Sequence, residues 1–138
     1  MSIRTYDDRL DRALVLALWR QCFSYTAPHQ DPAAAIDLKL KEDDGLFFVA
    51  TDAAGRVVGT VVAGFDGHRG WLYSLAVDPA LRRQGTGRAL VAAAVAALKA
   101  RGCPKVNLQI LPDNSTVIAF YEKLGFVTEE RISMGRRL

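Results

Sequence analysis

Apolar residues return along this chain with two different periods, and the switches between them mark out the elements. Ile3 to Tyr6 reads as a short first strand, after which Leu10, Leu14, Ala17 and Leu18 recur at the spacing of one helical face. Asp31-Pro32, a cap followed by proline at the first helical position, predicts a second helix that buries Ile36 and Leu40. Three strand-like runs follow, Leu46 to Thr51, Val57 to Phe65 and Trp71 to Val77. They are joined by Asp52-Ala53-Ala54-Gly55 and Asp66-Gly67-His68-Arg69-Gly70, both short enough for hairpins. Arg88 to Arg101 is rich in Ala and Leu on nearly all sides, which predicts a helix covered on more than one face. Gly102 stops it, and Lys105 to Ile110 alternates polar and apolar residues with the period of a strand. Strand, helix and strand in that order imply a right-handed crossover and a parallel pair. A last helix is expected from about Ser115 to Leu124, capped by Asp113 or Asn114 and stopped by Gly125, with Phe126 to Leu138 forming one or two closing strands. The elements together predict an α/β domain with a mixed sheet, mostly antiparallel.

The chain has 138 residues, 50% of them hydrophobic and 24% charged, which suits one compact domain and excludes disorder by composition. No linker or repeat divides it, so one domain over residues 1–138 is expected. The longest unbroken apolar run, Ala89 to Leu98, is ten residues, short of the roughly 18 that a membrane span needs. The first residues meet charge at once and lack an apolar signal core, so a cytoplasmic location is expected. Cys22 and Cys103 lack metal-site spacing and read as partly buried free thiols. A net charge of +3 suits an anionic ligand without identifying one.

The sharpest local signal is the segment from Val77 to Leu90, where a strand ends, a basic turn follows and a long helix begins. Gly85 and Gly87 let a phosphate approach the backbone, while free amides and the positive end of the helix dipole face it. A Walker loop would require Lys and then Ser or Thr after its last glycine, but Gly87 is followed by Arg88-Ala89. A dinucleotide fingerprint would require a third glycine where Leu90 stands. Nucleotide hydrolysis and nicotinamide binding are both disfavoured.

What remains resembles the GNAT superfamily of N-acetyltransferases, whose acetyl-CoA motif runs Arg or Gln, two variable residues, Gly, one variable residue, then Gly or Ala. Arg82, Gly85 and Gly87 satisfy it, Leu75 to Pro79 looks like the family's fourth strand and its exit, and Asn114 through Phe126 looks like its second CoA-contacting motif. The chain looks closest to small bacterial YpeA-like members and is similar in outline to ribosomal-protein alanine N-acetyltransferases. The resemblance implies a sheet splayed between strands 4 and 5 and flanked by about four helices. It implies acetyl-CoA as cosubstrate, with no metal. The amides of Arg83, Gln84, Gly85, Thr86, Gly87 and Arg88 would hold the pyrophosphate, with side-chain charge from Arg82 and Arg88. The pantetheine would pair with the backbone of Leu75, Ala76 and Val77 beside a bulge, where an amide of Ala76 or Val77 polarises the thioester carbonyl. Tyr121 falls on the family's tyrosine, the expected acid for the departing sulfur, and Asn114 would bind pantetheine or fix the helix.

In the ribosomal-protein type a glutamate stands five residues before the motif Asn, whereas this chain has Gln109, which cannot take a proton from an amine. Asp66, His68, Tyr73, Glu42 and Asp43 are substitutes for a base. The acceptor is expected to enter past the loop Phe23 to Asp31 and a hairpin around Thr128 to Ser133, which offer Phe23, Tyr25, His29, Glu129 and Glu130. The implied reaction is acetyl transfer to a primary amine of a small molecule or peptide. The rival readings are a CoA-binding sensor or partner protein of the same fold and a nucleic-acid-binding module, the latter lacking a basic helix or aromatic platform. Neither a nucleic acid nor a membrane is expected as partner, and a homodimer is left open.

Overall fold

The computed structural model describes residues 1–25 and 31–138, which group into two compact units, Met1–Leu108 and Gln109–Leu138. His29 falls outside the described residues.

The first unit holds the sheet. Its elements are β1 (Ser2–Thr5), α1 (Asp8–Cys22), α2 (Pro32–Glu42), β2 (Phe47–Thr51), β3 (Val57–Phe65), β4 (Gly70–Val77), a 3-10 turn (Pro79–Leu81), α3 (Thr86–Ala100) and β5 (Val106–Asn107). The strands lie in sequence order, antiparallel from β1 to β4, and β5 joins β4 in parallel. This is the mixed, mostly antiparallel sheet that the hydrophobic pattern predicts.

Capping carboxylates start the early helices. Asp7 accepts from the amides of Arg9 and Leu10 at the head of α1, and Asp31 accepts from Ala33 at the head of α2. One face of the sheet packs against α1 and α2 through Val15, Leu18, Trp19, Ile36, Phe47, Val49 and Val62, with the Tyr6 and Phe47 rings stacked at 4.1 Å. The other face carries α3. Thr60 bonds Trp19 of α1, while its neighbour Gly59 lies under Leu90 and Thr86 of α3, as alternation along a strand requires.

The buried stripe of α1 is Asp11, Val15, Leu18 and Trp19, so the expected face is turned: Leu10 and Leu14 are 68% and 41% exposed. The cause is Asp11, which is 1% exposed and accepts from Arg4 Nη1 and Nη2 at 2.7 and 2.9 Å and from the Asp7 amide at 2.8 Å. Burial pushes its carboxyl upward, but the Arg4 guanidinium and the Asp7 amide outweigh that and hold it below the usual range. Asp11→Ala is therefore expected to cost about 2–4 kcal/mol in chemical denaturation, because a guanidinium and an inward amide lose their acceptor. The part of that stability tied to Asp11 ionisation is present above the unfolded carboxyl pKa and is lost as pH falls through the lower folded value.

Three further expectations are corrected. Leu40 is exposed, so Ile36 alone of the predicted pair is buried. The long helix buries one face, Leu90, Val91, Ala94 and Leu98, and its outward alanines are small enough to leave exposed. β5 is two residues long rather than running from Lys105 to Ile110.

The second unit holds α4 (Ser115–Lys123), with the chain continuing to Leu138 without a strand. The closing strands predicted for Phe126 to Leu138 do not form. The Arg131 amide bonds Glu129 O two residues back, a local turn that spends backbone groups a ladder would need, and Val127, Ile132 and Met134 remain exposed.

Candidate active site

The outer edge of β4 is open over most of its length. β5 pairs with it only at Gly70 and Trp71, so the two strands part beyond Trp71, and the expected splay is observed. On the other side, β3 and β4 slip register between Thr60 and Val62: Val62 faces Tyr73 but Thr60 faces Ala76, so Val61 stands opposite both Ser74 and Leu75. Ser74 takes φ +50, a left-handed conformation unusual for a residue with a side chain.

Backbone alternation decides which β4 amides face the open edge. Asp78 N–H donates to Val58 O at 2.8 Å, so Asp78 and, two residues back, Ala76 turn their amides toward β3. Leu75 and Val77 turn theirs the other way. Of the amides expected to polarise a carbonyl, Val77 faces outward and Ala76 does not, and Leu75 joins Val77. The Cys22 thiol donates to Val77 O at 3.5 Å, and both cysteines are free and partly buried, as read from the sequence.

Past β4, Asp78 accepts from Ala80 N at 3.0 Å and closes the 3-10 turn. The chain then reverses through Arg83 at φ +66 and Gly85 at φ +83, and α3 starts at Thr86, before the expected Arg88. Gly85 serves as the N-cap, so Gly87 lies inside the first turn. No side chain caps α3, whereas the other three α-helices among the described residues each begin with an Asp or Asn acceptor. Its first helical bond is Ala89 N–H to Gly85 O at 3.0 Å, which leaves Thr86, Gly87 and Arg88 amides without an intrahelical acceptor. Arg82, Arg83, Gln84, Gly85 and Arg88 are exposed, and no carboxylate among the described residues pairs with the three arginines. Fixed amides, a dipole end and unpaired cations converge on one short turn, which suits an anion with several negative oxygens.

Close approach of α3 to the sheet sets where this turn lies. A Cβ on Gly59 would stand 2.9 Å from Leu90 Cδ1, 3.0 Å from Ala76 O and 3.3 Å from Thr86 Cγ2. Gly59→Ala should therefore push the head of α3 off the sheet, costing about 1–3 kcal/mol of stability and weakening whatever the turn binds. Denaturation and ligand titration of the same variant check both effects.

Asn114 and Tyr121 belong to the second unit. Asn114 Oδ1 accepts from Val117 N at 3.3 Å and so caps α4, the helix-fixing half of its expected role. Tyr121 is 6% exposed, with its ring edge-on to Phe120 and Phe126 at 5.0 and 5.4 Å. Burial pushes its hydroxyl up to about 12, so it stays protonated through the neutral range. Gln109 donates to Ser133 Oγ in this unit.

The substitute bases fare unevenly. Asp66 caps the β3–β4 turn, accepting from His68 N and Arg69 N at 2.8 and 2.7 Å, and the Arg69 and His68 amides hold its carboxyl below the usual range, which weakens it as a base. Tyr73 is exposed on β4, and desolvation followed by the Asp66 charge raises its hydroxyl. Glu42 ends α2 and Asp43 is its left-handed cap, both exposed. Phe23 and Tyr25 pack on the core beside α1. Glu129 and Glu130 lie in the strandless tail.

Sequence reading did not single out Trp19, Thr60 or Ser74, which meet at the bulge. The available signal was a lone threonine inside the apolar run Val57 to Val62.

Comparison with known proteins matches this geometry to one family. The sequence profile of the Acetyltransferase (GNAT) family matches residues 13–126. An acetyltransferase of Yersinia enterocolitica is 42% identical over 138 residues, covering 100% of this chain and 96% of its own length. Among solved structures, the NatC complex bound to Gag peptide and CoA superposes with TM-score 0.82 at 22% identity, covering 95% of this chain and 87% of that one. AAC(6')-Iy in complex with the bisubstrate analogue CoA-S-monomethyl-acetylneamine superposes with TM-score 0.80 at 21% identity, covering 99% of this chain and 97% of that one. Those two likenesses concern the fold, while the profile and the full-length relative concern descent: this chain belongs to the GNAT family and is an acetyltransferase.

Proposed function

We propose that residues 1–138 form a single cytoplasmic domain that transfers an acetyl group from acetyl-CoA to a primary amine of a small molecule or peptide, without a metal. The observation that carries this reading is the uncapped, glycine-started head of α3 just beyond the open, bulged edge of β4. The residues present fit the group: amides of Arg83 to Arg88 take the pyrophosphate, with Arg82 and Arg88 adding charge, and the outward backbone of Leu75 and Val77 pairs with the pantetheine. Ala76 lies on the same stretch with its amide turned inward. When bound, acetyl-CoA supplies an acetyl thioester.

The chain's own groups then have separate tasks. An outward amide of β4 polarises the carbonyl and takes the negative charge that develops there. An alkylamine with a reference pKa of about 10.4 must shed a proton before it attacks. Asp66 is a poor base for that step because its carboxyl is held low. Tyr121 remains protonated and is the hydrogen-bond donor for the departing sulfur, with Asn114 holding the start of its helix. The two related folds were solved with a Gag peptide and CoA and with the bisubstrate analogue CoA-S-monomethyl-acetylneamine, which supports an acceptor that is a peptide or a small molecule.

Thermal denaturation tests the donor: acetyl-CoA and CoA should raise the midpoint, and ATP should not. Thiol release across a panel of small amines and peptides then tests the transfer. Binding of CoA with no thiol release from any amine would favour a sensor over an enzyme.

A further inference from the structure

The bulge in β4 is held from the far side of the sheet. Trp19 Nε1 donates to Thr60 Oγ1 at 2.8 Å, and Thr60 Oγ1 donates to Ser74 O at 2.9 Å. Trp19 is 2% exposed and Thr60 is fully buried. The direction of this relay is forced, because an indole N–H can only donate. Thr60 must accept from it, and the single hydroxyl proton is left for Ser74 O. Ser74 is the residue at φ +50, and the register slips beside it. No peptide bond is cis among the described residues, so the Leu75 N–H points opposite to the Ser74 carbonyl. Fixing that carbonyl toward β3 therefore fixes the Leu75 amide toward the open edge.

We propose that Trp19 and Thr60 are positioning residues whose buried relay pins the Ser74–Leu75 peptide, so that the Leu75 amide is the one that polarises the donor's acetyl carbonyl. The inference rests on the acetyl-CoA reading above and adds which amide acts and what aims it. Neither side chain touches the reacting atoms. Thr60 sits on the core face of β3 and acts through the backbone of the neighbouring strand. An amide free to rotate would meet the carbonyl only part of the time, whereas one fixed by two buried bonds is aligned before the donor arrives.

The test reads the carbonyl itself. Acetyl-CoA isotope-labelled at its carbonyl carbon is bound to the protein, and the thioester stretch is measured by difference infrared spectroscopy. In the wild-type protein the stretch should lie below its value in water. In Thr60→Val it should return toward the water value, with CoA affinity retained and thiol release about tenfold slower, the loss of one aligned hydrogen bond. Thr60→Ser, which keeps the hydroxyl, should retain the wild-type frequency, and Trp19→Phe should fall between the two.

A folded Thr60→Val with the wild-type frequency overturns the relay. Should Thr60→Val fail to fold, an unshifted frequency in Trp19→Phe overturns it instead. Failure of the wild-type protein to bind CoA would overturn the donor reading, an outcome that binding of CoA without any relay effect does not share.

Discussion

Gly85→Val is expected to weaken CoA binding about a hundredfold or more while the protein stays folded. The residue takes φ +83 at the point where the chain enters α3, and a Cβ there would meet nothing within 4 Å. The cost within the protein is therefore backbone strain, about 1–2 kcal/mol for a non-glycine residue in the left-handed region. The cost to a ligand is larger. The added isopropyl group fills the space through which a phosphate reaches the amides of Thr86 and Gly87, and escape from the strain turns those amides away. Losing two charge-assisted bonds at about 1.5–3 kcal/mol each gives the expected factor. Calorimetric titration with CoA, beside a circular-dichroism melt, separates lost binding from lost structure. Wild-type affinity in a folded Gly85→Val would remove this turn from the donor site.

Tyr121→Phe is expected to lower turnover about tenfold to a hundredfold, the loss of one hydrogen bond to a sulfur that takes on negative charge, while leaving CoA affinity nearly unchanged. The substitution keeps the ring that packs edge-on against Phe120 and Phe126, so the core of the second unit survives. What it removes is a proton held firmly by burial. With the hydroxyl pushed up to about 12, the folded protein binds this proton more tightly than the unfolded chain does. The sign follows: the acid form is complete throughout the neutral range, and ionisation begins only well above the ordinary tyrosine value of about 10. Turnover should therefore show no descending limb from this residue between about pH 8 and 10. A limb centred near 10 that disappears in Tyr121→Phe would contradict the burial argument. Unchanged turnover in that variant would remove the residue from the chemistry.

Much of the fold could be read from one sequence because local rules and tertiary packing agree there. β2, β3 and β4 are apolar runs bounded by Asp- and Gly-containing turns, and β3 runs from Val57 to Phe65 as its pattern predicts. Asp31-Pro32 starts α2 as its cap chemistry requires. The misreadings fall where a distant partner decides. Asp11 could not be read as a core residue without knowing that Arg4 on β1 would reach it, and its burial turns α1 away from Leu10. Lys105 to Ile110 has the strand period, but β4 pairs with it only at Gly70 and Trp71, a distant pairing that the period alone does not reveal. Phe126 to Leu138 offered apolar residues in strand-like numbers, but Val127, Ile132 and Met134 stay exposed and no strand forms.

The site divides in the same way. Arg82, Gly85 and Gly87 are legible because backbone chemistry at a helix start demands small residues and leaves a short-range signature. The outward amides of Leu75 and Val77 depend on the register of β3 against β4, which no spacing along one strand reveals. Thr60 reads in sequence as one more β-branched strand residue, and only its bonds to Trp19 and Ser74 show otherwise.

Titration calorimetry of the purified wild-type protein with CoA tests most directly whether the amides beyond Pro79 hold a diphosphate. The expected result is saturable one-to-one binding that survives removal of the acetyl group, is not reproduced by ATP, and collapses in Gly85→Val. An absence of measurable heat at millimolar CoA, from protein shown to be folded, would contradict it.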